Sequence, residues 1–408
     1  GHNTISHCSV TLNKANTLSR GIYSGNHNAT ITTGLTYSGT AGNFTQVDSS
    51  RNGYNSFYGN SIQNVYTAIS INGNSAASGT HSLNDTLNVI GITGQGNTIS
   101  NFGGGSVAAI GITETNQRNL KVNGNTISGG TGNTGTVAGI SLLSGVGIEV
   151  KDNTISLSSA ATTSSIIGIT CTFTGGSTAN PQIVTITGNT IQNVTHNTAT
   201  SGGFTGITSG SGGTGSVVTI SSNIVQNNTL TGTGTFTGIA NTSTSGTLAM
   251  NNNIVTGNTK SGTGTMTLLD AGSIGTSTTA TVNSNQVTAN QITGASGTMN
   301  CTRAGTTQVT YNGNIVNNNS IPSTSGASSS AIYGYINVAS PTVENITNNQ
   351  IDNLGIGGVN ASTANIVEGI HTFAVATTVK TILGNSIHDL TMAPAGTVRG
   401  ILQDAGTA

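Results

Sequence analysis

Charged side chains are scarce in this 408-residue chain. Lys, Arg, Asp and Glu together make up 5% of the sequence, compared with roughly 25% in an average globular protein. The net charge is −1, and the ten basic residues are scattered along the chain. Nucleic-acid binding needs a basic stripe or patch, so the composition argues against a nucleic-acid partner.

Proline, tryptophan and long apolar runs are scarce as well. The chain has 4 prolines and no tryptophan, and none of its apolar runs is long enough to insert into a membrane. The N-terminus shows no secretory signal and begins inside a repeat. Because solenoids usually carry caps and neither end resembles one, we expect the chain to be part of a longer protein.

Only three cysteines occur, at Cys8, Cys171 and Cys301. The number is odd and the three positions lie in distant repeats, so a disulfide framework is excluded. We expect these residues to be buried as small apolar side chains.

A repeat centred on an asparagine runs through the whole chain. Its clearest copy is residues 186–194, Ile-Thr-Gly-Asn-Thr-Ile-Gln-Asn-Val, and the chain opens on a related copy, His2-Asn3-Thr4-Ile5. Successive copies from residue 60 onward are 28–37 residues apart, which is a period typical of solenoids and propellers. The repeated residues, which we call the ladder asparagines, are Asn60, Asn97, Asn125, Asn153, Asn189, Asn223, Asn253, Asn285, Asn314, Asn349 and Asn385.

Three short apolar segments recur in each period. One runs into the ladder asparagine, one follows it, and a third comes later and usually contains a glycine, as in Ile167-Gly168-Ile169. Their β-branched, alternating character predicts strands, and Gly/Ser/Thr-rich turns join them. The pattern predicts an all-β parallel β-helix with three strands per coil and roughly 12 coils. We expect one domain over residues 1–408, with an irregular coil or loop insertion at residues 23–57.

The ladder asparagines are predicted to be structural. An asparagine between two strands adopts turn geometry and bonds local backbone. Stacked on itself in coil after coil, it can also form a ladder of side-chain amides. The register places Ile186 and Ile191 inside, with Thr185 and Thr187 outside.

The few charged residues occupy matched positions in neighbouring repeats. Four pairs of opposite sign should stack across adjacent coils, each adding about 0.2–1 kcal/mol where it is exposed. The predicted pairs are Lys121 with Glu149, Asp270 with Arg303, Glu344 with Lys380, and Glu368 with Arg399. Their expected value is in fixing the register of the coils.

The Gly-Asn-Thr-Ile repeats of residues 58–402 resemble the right-handed parallel β-helix repeats of the pectin-lyase-like superfamily. The low charge and the abundance of Thr, Ser, Gly and Asn are similar to the repetitive surface proteins of bacteria, including Bacteroidota-type adhesins and filament proteins. The resemblance implies a right-handed helix and an extracellular or cell-surface location.

Many members of this superfamily cut polysaccharides, but their signatures are absent here. Hydrolysis needs two neighbouring carboxylates, and lyase chemistry needs a base and often a calcium site. The Asn-Thr-Asp, Asp-Asp, His-Gly and Arg-Ile-Lys motifs of polygalacturonases do not occur, and neither does the calcium-binding Gly-Gly-x-Gly-x-Asp nonapeptide. We see no metal-ligand spacing and expect no metal and no cofactor.

One cluster of titratable residues is a weak catalytic candidate. Asp352 lies three residues after its ladder asparagine and His388 lies three after the next one, so the two should stack, with Asp389 beside them. A His–Asp pair can be catalytic. No nucleophile or second pair of carboxylates accompanies it, so a structural contact is the favoured interpretation.

The sequence therefore predicts an extracellular structural or adhesive β-solenoid, part of a bacterial surface adhesin or fibre, without catalysis. Expected partners are the chain itself, end to end, or flanking repeats of the same chain, and surface glycans. The alternative is a polysaccharide-binding or polysaccharide-degrading β-helix protein. Ice binding is a minor alternative, because the outward Thr185/Thr187 pair is replaced by Ala249 and Asn251 two coils on.

Overall fold

The residues described are almost entirely strands and turns. The computed structural model describes residues 2–25, 36–37, 52–73, 75–76, 84–173, 182–210, 212–242, 245–272, 279–305, 308–325, 328–339, 341–359, 362–374, 378–393 and 395–405. Parallel pairing connects each coil to the next throughout these ranges, so the protein is an all-β parallel β-solenoid, as predicted. The handedness of the coil stays a prediction.

The first sheet contains the strands that run into the ladder asparagines. Its twelve strands are Thr4–Ser6, Ser56–Tyr58, Val89–Ile90, Lys121–Asn123, Ile148–Lys151, Ile183–Thr187, Gly213–Ser221, Ser245–Asn251, Thr279–Asn283, Gln308–Asn312, Val343–Thr347 and Val379–Leu383.

The second sheet contains the strands that follow the ladder asparagines. In the middle coils each turn contributes two short strands, and in the last two coils these merge into one longer strand. The strands are Ser9–Thr11, Ser61–Gln63, Thr98–Phe102, Thr126–Gly129, Thr154–Leu157, Thr190–Gln192, Thr195–His196, Ile224–Gln226, Thr229–Leu230, Ile254–Thr256, Thr259–Lys260, Gln286–Thr288, Gln291–Ile292, Ile315–Asn317, Ser320–Thr324, Gln350–Gly358 and Ser386–Met392.

The third sheet contains the glycine-bearing strands. They are Arg20–Gly25, Thr67–Asn72, Ala109–Thr115, Val137–Leu142, Ile166–Cys171, Phe204–Ser209, Phe236–Asn241, Thr265–Asp270, Thr298–Ala304, Ala331–Asn337, Asn365–Ala374 and Gly396–Ala405. A Cβ on Gly168 would lie 2.4 Å from the carbonyl oxygen of Gly206 in the next coil, so a side chain at this position would collide with its neighbour.

Two small sheets add to the pairing among the described residues. One joins Asp85–Thr86, Gln117–Arg118 and Gly145–Val146, and the other joins Thr36–Tyr37 to Ser75–Ala76. Most of the predicted insertion at residues 23–57 lies outside the described residues, so that prediction stays open. Within the described part, no helix is long and apolar enough to cross a membrane.

The core is a set of columns of apolar side chains that stack from coil to coil. Ile186 and Ile191 are fully buried, while Thr185 and Thr187 face outward, as the register predicted. Ile186 pairs with Ile220 in the next coil, and a buried side chain of this size contributes about 1.5–3 kcal/mol. Because each inward side chain is covered by coils on both sides, a single coil cannot fold alone.

The first coil is aligned differently from the sequence prediction. Thr4–Ser6 pairs with Ser56–Tyr58, which puts Asn3 beside Asn55 instead of in the ladder column. The ladder position of this coil is occupied by Cys8, whose backbone N–H donates to Oδ1 of Asn60 (3.0 Å). The Asn-Thr-Ile triplet at residues 3–5 was therefore a misleading signal.

Candidate functional site

The ladder asparagines form one continuous hydrogen-bonded column from Asn60 to Asn385. In each coil the backbone N–H and the side-chain Nδ2 donate to Oδ1 of the next ladder asparagine, at 2.8–3.1 Å. Nδ2 also donates backward to a backbone carbonyl, as from Asn189 to Val150 (2.9 Å). The buried amides are thus satisfied by their own repeat, which is what makes their burial tolerable.

The residue before each ladder asparagine explains the Gly-Asn motif. Gly59, Gly124, Gly188, Gly313 and Gly384 all have positive φ. Asp, Ser or Asn takes the same left-handed conformation in the remaining coils, except before the asparagine at 97. Glycine adopts this conformation without a steric penalty, and Asn and Asp tolerate it better than other residues. The tight turn aims the next side chain along the axis of the solenoid.

A second asparagine ladder runs through the central coils and was not predicted. Asn228, Asn258, Asn290 and Asn319 each lie five residues after a first-ladder asparagine, and they repeat its bonding. The column begins where the N–H of Val194 donates to Asn228 (2.9 Å). The recurrence of Asn at this offset was visible in the sequence, but the abundance of Asn elsewhere obscured it.

A third, shorter polar column lies near the N-terminus. Asn3 donates to Asn55, Asn55 donates to Asn88, and Asn88 donates through Nδ2 to Oε1 of Gln117 (2.8 Å). The column explains why the N-terminal coils are also rich in buried asparagine.

Three of the four predicted ion pairs are formed in the structure. Arg303 Nη1 lies 3.0 Å from Asp270 Oδ2, and Arg399 Nη1 lies 2.6 Å from Glu368 Oε1. Burial raises the pKa of Asp270, and the Arg303 charge opposes part of that rise.

The Glu344–Lys380 pair is the most enclosed of the three. Lys380 Nζ lies 3.0 Å from Glu344 Oε2, and the glutamate side chain is fully buried. Tyr335 and Asn337 donate to the other carboxylate oxygen at 2.8 and 2.9 Å, and Thr372 donates to Oε2. Burial, together with the Glu344 charge, raises the pKa of Tyr335 well above its ordinary value. The network satisfies a buried charge completely.

The fourth predicted pair is wrong as an ion pair. Lys121 and Glu149 are in register on adjacent strands, as expected. Glu149 Oε1 instead accepts a hydrogen bond from Asn123 Nδ2 (2.6 Å), and between these two described residues there is no ion pair. Strand register fixes the position of each Cβ, but the carboxylate at the end of a flexible side chain can still bond to a neutral neighbour.

A lysine lies fully buried in a column of otherwise apolar or neutral side chains. Lys260 stacks between Leu230 and Ile292, and its Nζ donates to the carbonyl oxygens of Gly232 (2.8 Å) and Gly234 (2.7 Å). Burial lowers its pKa to about 8. Backbone carbonyls are weak compensation for a buried charge, so this position costs stability.

The weak catalytic candidates come together at the C-terminal end. Asp352 and His388 are paired in register, with His388 Nε2 3.9 Å from Asp352 Oδ2 and Nδ1 2.9 Å from Asp389 Oδ2. Gln350 donates to Asp352 at 2.5 Å. An imidazole between two carboxylates can accept and return a proton.

A second carboxylate–imidazole cluster was missed by sequence reasoning. His371 Nδ1 lies 2.7 Å from Glu368 Oε2, and its Nε2 lies 3.2 Å from Asp404 Oδ2. Its ring also packs against Phe373, with centroids 4.9 Å apart. The register of Glu368 with Arg399 was predicted, but the i,i+3 contact between Glu368 and His371 was not, because side chains three residues apart in a regular strand lie on opposite faces.

A groove of about 550 Å³ crosses the outer face of the second sheet beside Asp389. It is formed by residues from three consecutive coils, and we call it the C-terminal groove. Its lining residues are Asn318, Ser320 and Pro322, then Asn353, Gly355, Ile356 and Gly357, then Thr391, Met392 and Ala393. The weak catalytic candidates adjoin it in sequence, because Asp352 precedes Asn353 and Asp389 lies two residues before Thr391.

The cysteines divide between the core and the surface. Cys171 and Cys301 are buried, as expected, whereas Cys8 is exposed, contrary to that expectation. Within the described ranges, no three His, Cys, Asp or Glu side chains converge in a way that could hold a metal ion.

Comparison with known proteins gives no relative from which a function can be transferred. No protein-family model matches the chain, and neither a curated protein nor a solved structure is significantly similar to it.

Proposed function

We propose that this chain is a structural and adhesive rod, an extracellular β-solenoid that forms part of a bacterial surface adhesin or fibre and catalyses no reaction. The observation that carries the proposal is the asparagine ladder, which continues through eleven successive coils from Asn60 to Asn385. A ladder repeated at every coil serves the length and rigidity of the rod, whereas an active site needs special residues at one place.

The use of the charged residues supports the same proposal. Three coil-to-coil ion pairs engage Asp270, Glu344 and Glu368 with their basic partners. These acids are therefore occupied in holding neighbouring coils together. A weakly charged surface also limits non-specific electrostatic association, which suits a rod exposed outside the cell.

Apolar side chains exposed on the last described coil support assembly with further coils. Ile370 is fully buried, but Ile401, its neighbour in the last coil, is 51% exposed. Another coil stacked on this end would cover such side chains and pair the open strand edges. The partner in this proposal is a second copy of the chain or a flanking repeat of the same chain.

The resemblance to pectin-lyase-like and Bacteroidota-type surface repeats favours the same location and a right-handed coil. Antibody labelling of intact source cells, viewed by electron microscopy, tests the proposal. We expect label on rods or fibres at the cell surface. Label confined to the cell interior would overturn it.

A polysaccharide-binding or polysaccharide-degrading protein is the second candidate. It is favoured by the C-terminal groove, which lies beside the Asp352–His388–Asp389 cluster. Incubation with a polysaccharide panel, followed by detection of new reducing ends or unsaturated products, separates the two. Product formation that disappears in His388→Ala would establish the enzyme, and we expect no product.

A further inference from the structure

The C-terminal groove exists because glycine interrupts a column of side chains. Along the outer face of the second sheet, the register aligns Thr195, Thr229, Thr259, Gln291, Ser320, Gly355 and Thr391. Gly355 is the one position of this column without a side chain. The gap lies between the hydroxyls of Ser320 and Thr391, which form two walls of the groove.

The glycines also let the neighbouring coils approach closely. A Cβ on Gly355 would lie 2.7 Å from Oγ1 of Thr391, and a Cβ on Gly357 would lie 2.5 Å from the carbonyl oxygen of Pro322. Side chains at these two positions would collide with the neighbouring coils, so the packing of the coils requires the glycines that leave the groove open. Its volume of about 550 Å³ lies within the range of roughly 300–1,000 Å³ typical of small-ligand sites.

The polar groups of the groove are neutral and can both donate and accept hydrogen bonds. Asn318 and Asn353 supply amides, joined to each other by a hydrogen bond, and Ser320 and Thr391 supply hydroxyls. Such groups match ligand hydroxyls, which also donate and accept. Pro322 adds an apolar surface.

The surrounding charge disfavours an anionic ligand. Asn318, Asn353 and Asp389 occupy the same left-handed turn position in three successive coils. The Asp389 carboxylate therefore lies next in line after the amides of the two asparagines. Asp389 is 74% exposed at its side chain. None of the residues that line the groove is basic, so a phosphate, sulfate or uronate would find no cationic partner among them.

The backbone of the groove disfavours an extended peptide. Peptides commonly bind a sheet by adding a strand to an open edge. The middle strand of the groove, Gln350–Gly358, is already paired on one side with Ile315–Asn317 and Ser320–Thr324 and on the other with Ser386–Met392. The middle strand of the groove therefore has no free edge, and a ligand lying over it is recognised by side chains.

We propose that the C-terminal groove binds a short segment of a neutral glycan, held by the amides of Asn318 and Asn353 and the hydroxyls of Ser320 and Thr391. This inference rests on the proposed adhesive function and names the ligand class through which the rod adheres. Side-chain recognition by a few hydrogen bonds gives weak single-site binding, and repetition of rods on a surface raises the avidity.

The test uses the full chain and an immobilised panel of neutral, sialylated, sulfated and uronate-containing glycans. Thr391→Trp fills the groove from an exposed position. Thr229→Trp is the matched control, because it lies in the same column five coils away. Asn353→Gly is a milder variant, since glycine keeps the positive φ of this residue and removes its amide. Circular dichroism confirms that each variant is folded.

We expect the wild type to bind neutral glycans, Thr391→Trp to lose at least tenfold in affinity, Asn353→Gly to lose severalfold, and Thr229→Trp to bind as the wild type does. The proposal is overturned if no neutral glycan binds, if acidic glycans or library peptides bind better, or if both tryptophan variants behave alike. If rods are found at the cell surface but no glycan binds, the glycan proposal fails and the proposed structural role stands. If neutral glycans bind but no rods are found at the cell surface, the structural role fails and the glycan proposal stands.

Discussion

The central and the C-terminal coils satisfy a polar interior in two different ways. Between Asp152 and Lys260 the sequence has no charged side chain, and the central coils carry two parallel asparagine ladders. In the last coils the second ladder ends, and Leu354 and Leu390 occupy its column. Five acids and two bases lie between residue 341 and the C-terminus, and several of them form buried networks.

The comparison shows why the same backbone needs different chemistry at different places. An amide ladder buries polar groups without removing a full charge from water, so it can be repeated at every coil at little cost. A buried ion pair requires complete satisfaction, and the loss of one partner exposes the other to an apolar surrounding. We therefore expect the C-terminal coils to be the more sensitive to single substitutions.

The largest effect is expected at Glu344. In Glu344→Ala the buried ammonium of Lys380 loses its counter-ion and the hydroxyl of Tyr335 loses its acceptor, at a cost of about 3–5 kcal/mol. Urea unfolding measures the loss of stability, and hydrogen exchange shows whether the C-terminal strands account for it. Glu149→Ala, a glutamate without an ion pair to Lys121, is the control and should change stability by less than about 1 kcal/mol.

A double variant sharpens this prediction. Replacing both partners, as in Glu344→Ala with Lys380→Met, removes the orphaned charge and should restore part of the lost stability. A double variant less stable than the single one would show that Lys380 stabilises the protein through contacts other than its pairing with Glu344.

The next largest effect is expected in the central ladder. Asn189→Ala removes the acceptor of two hydrogen bonds from Asn153 and also removes the hydrogen bond that its own Nδ2 donates to the carbonyl oxygen of Val150. The expected loss is about 2–4 kcal/mol. Thr185→Ala, an outward residue of the same coil, is the control, and equal stability of both variants and the wild type would refute the ladder as a stabilising element.

Substitution of Lys260 should stabilise the protein. Lys260→Met places an apolar side chain between Leu230 and Ile292 and should raise the free energy of unfolding at pH 7 by about 1 kcal/mol. Lys121→Met, at an exposed position, should leave stability nearly unchanged. A loss of stability in Lys260→Met would show that its bonds to Gly232 and Gly234 outweigh the buried charge.

The same lysine predicts a dependence of stability on pH. Burial lowers its pKa to about 8 from the ordinary 10.5, so between these values the unfolded chain binds a proton that the folded chain does not. Stability of the wild type should therefore rise from pH 8 to 10.5, relative to Lys260→Met. Parallel pH profiles of the two proteins would contradict the assignment.

The smallest effect is expected at a partly exposed ion pair. Arg303→Ala removes the partner of Asp270 near the ends of two inner strands of the third sheet and should cost about 0.5–1.5 kcal/mol, because Gly272 N–H still donates to the carboxylate. High salt should reduce this difference. A loss as large as that of Glu344→Ala would show that the partly exposed pair stabilises the protein as much as the fully enclosed one.

Features that repeat at a fixed offset could be predicted from the sequence. The three strands per coil, the inward Ile186 and Ile191 and the first ladder follow from the position of apolar residues relative to one asparagine. Asn228 and its stack repeat in the same way, and they were overlooked because the surrounding sequence is rich in asparagine.

Features that occur once could not be predicted in this way. The displacement of Asn3 from the ladder depends on which strand the first coil pairs with, and the choice of Asn123 by Glu149 depends on side-chain torsions. The groove at Gly355 arises from an absent side chain between two neighbours that only the register brings together.

Cryo-electron microscopy of the purified chain would show whether its coils stack through the asparagine ladder. We expect a rod of stacked parallel coils with an axial spacing of roughly 4.8 Å, and with density for the asparagine column along one corner. A compact particle without this axial repeat, or coils in which Asn189 and its equivalents point to solvent, would contradict it.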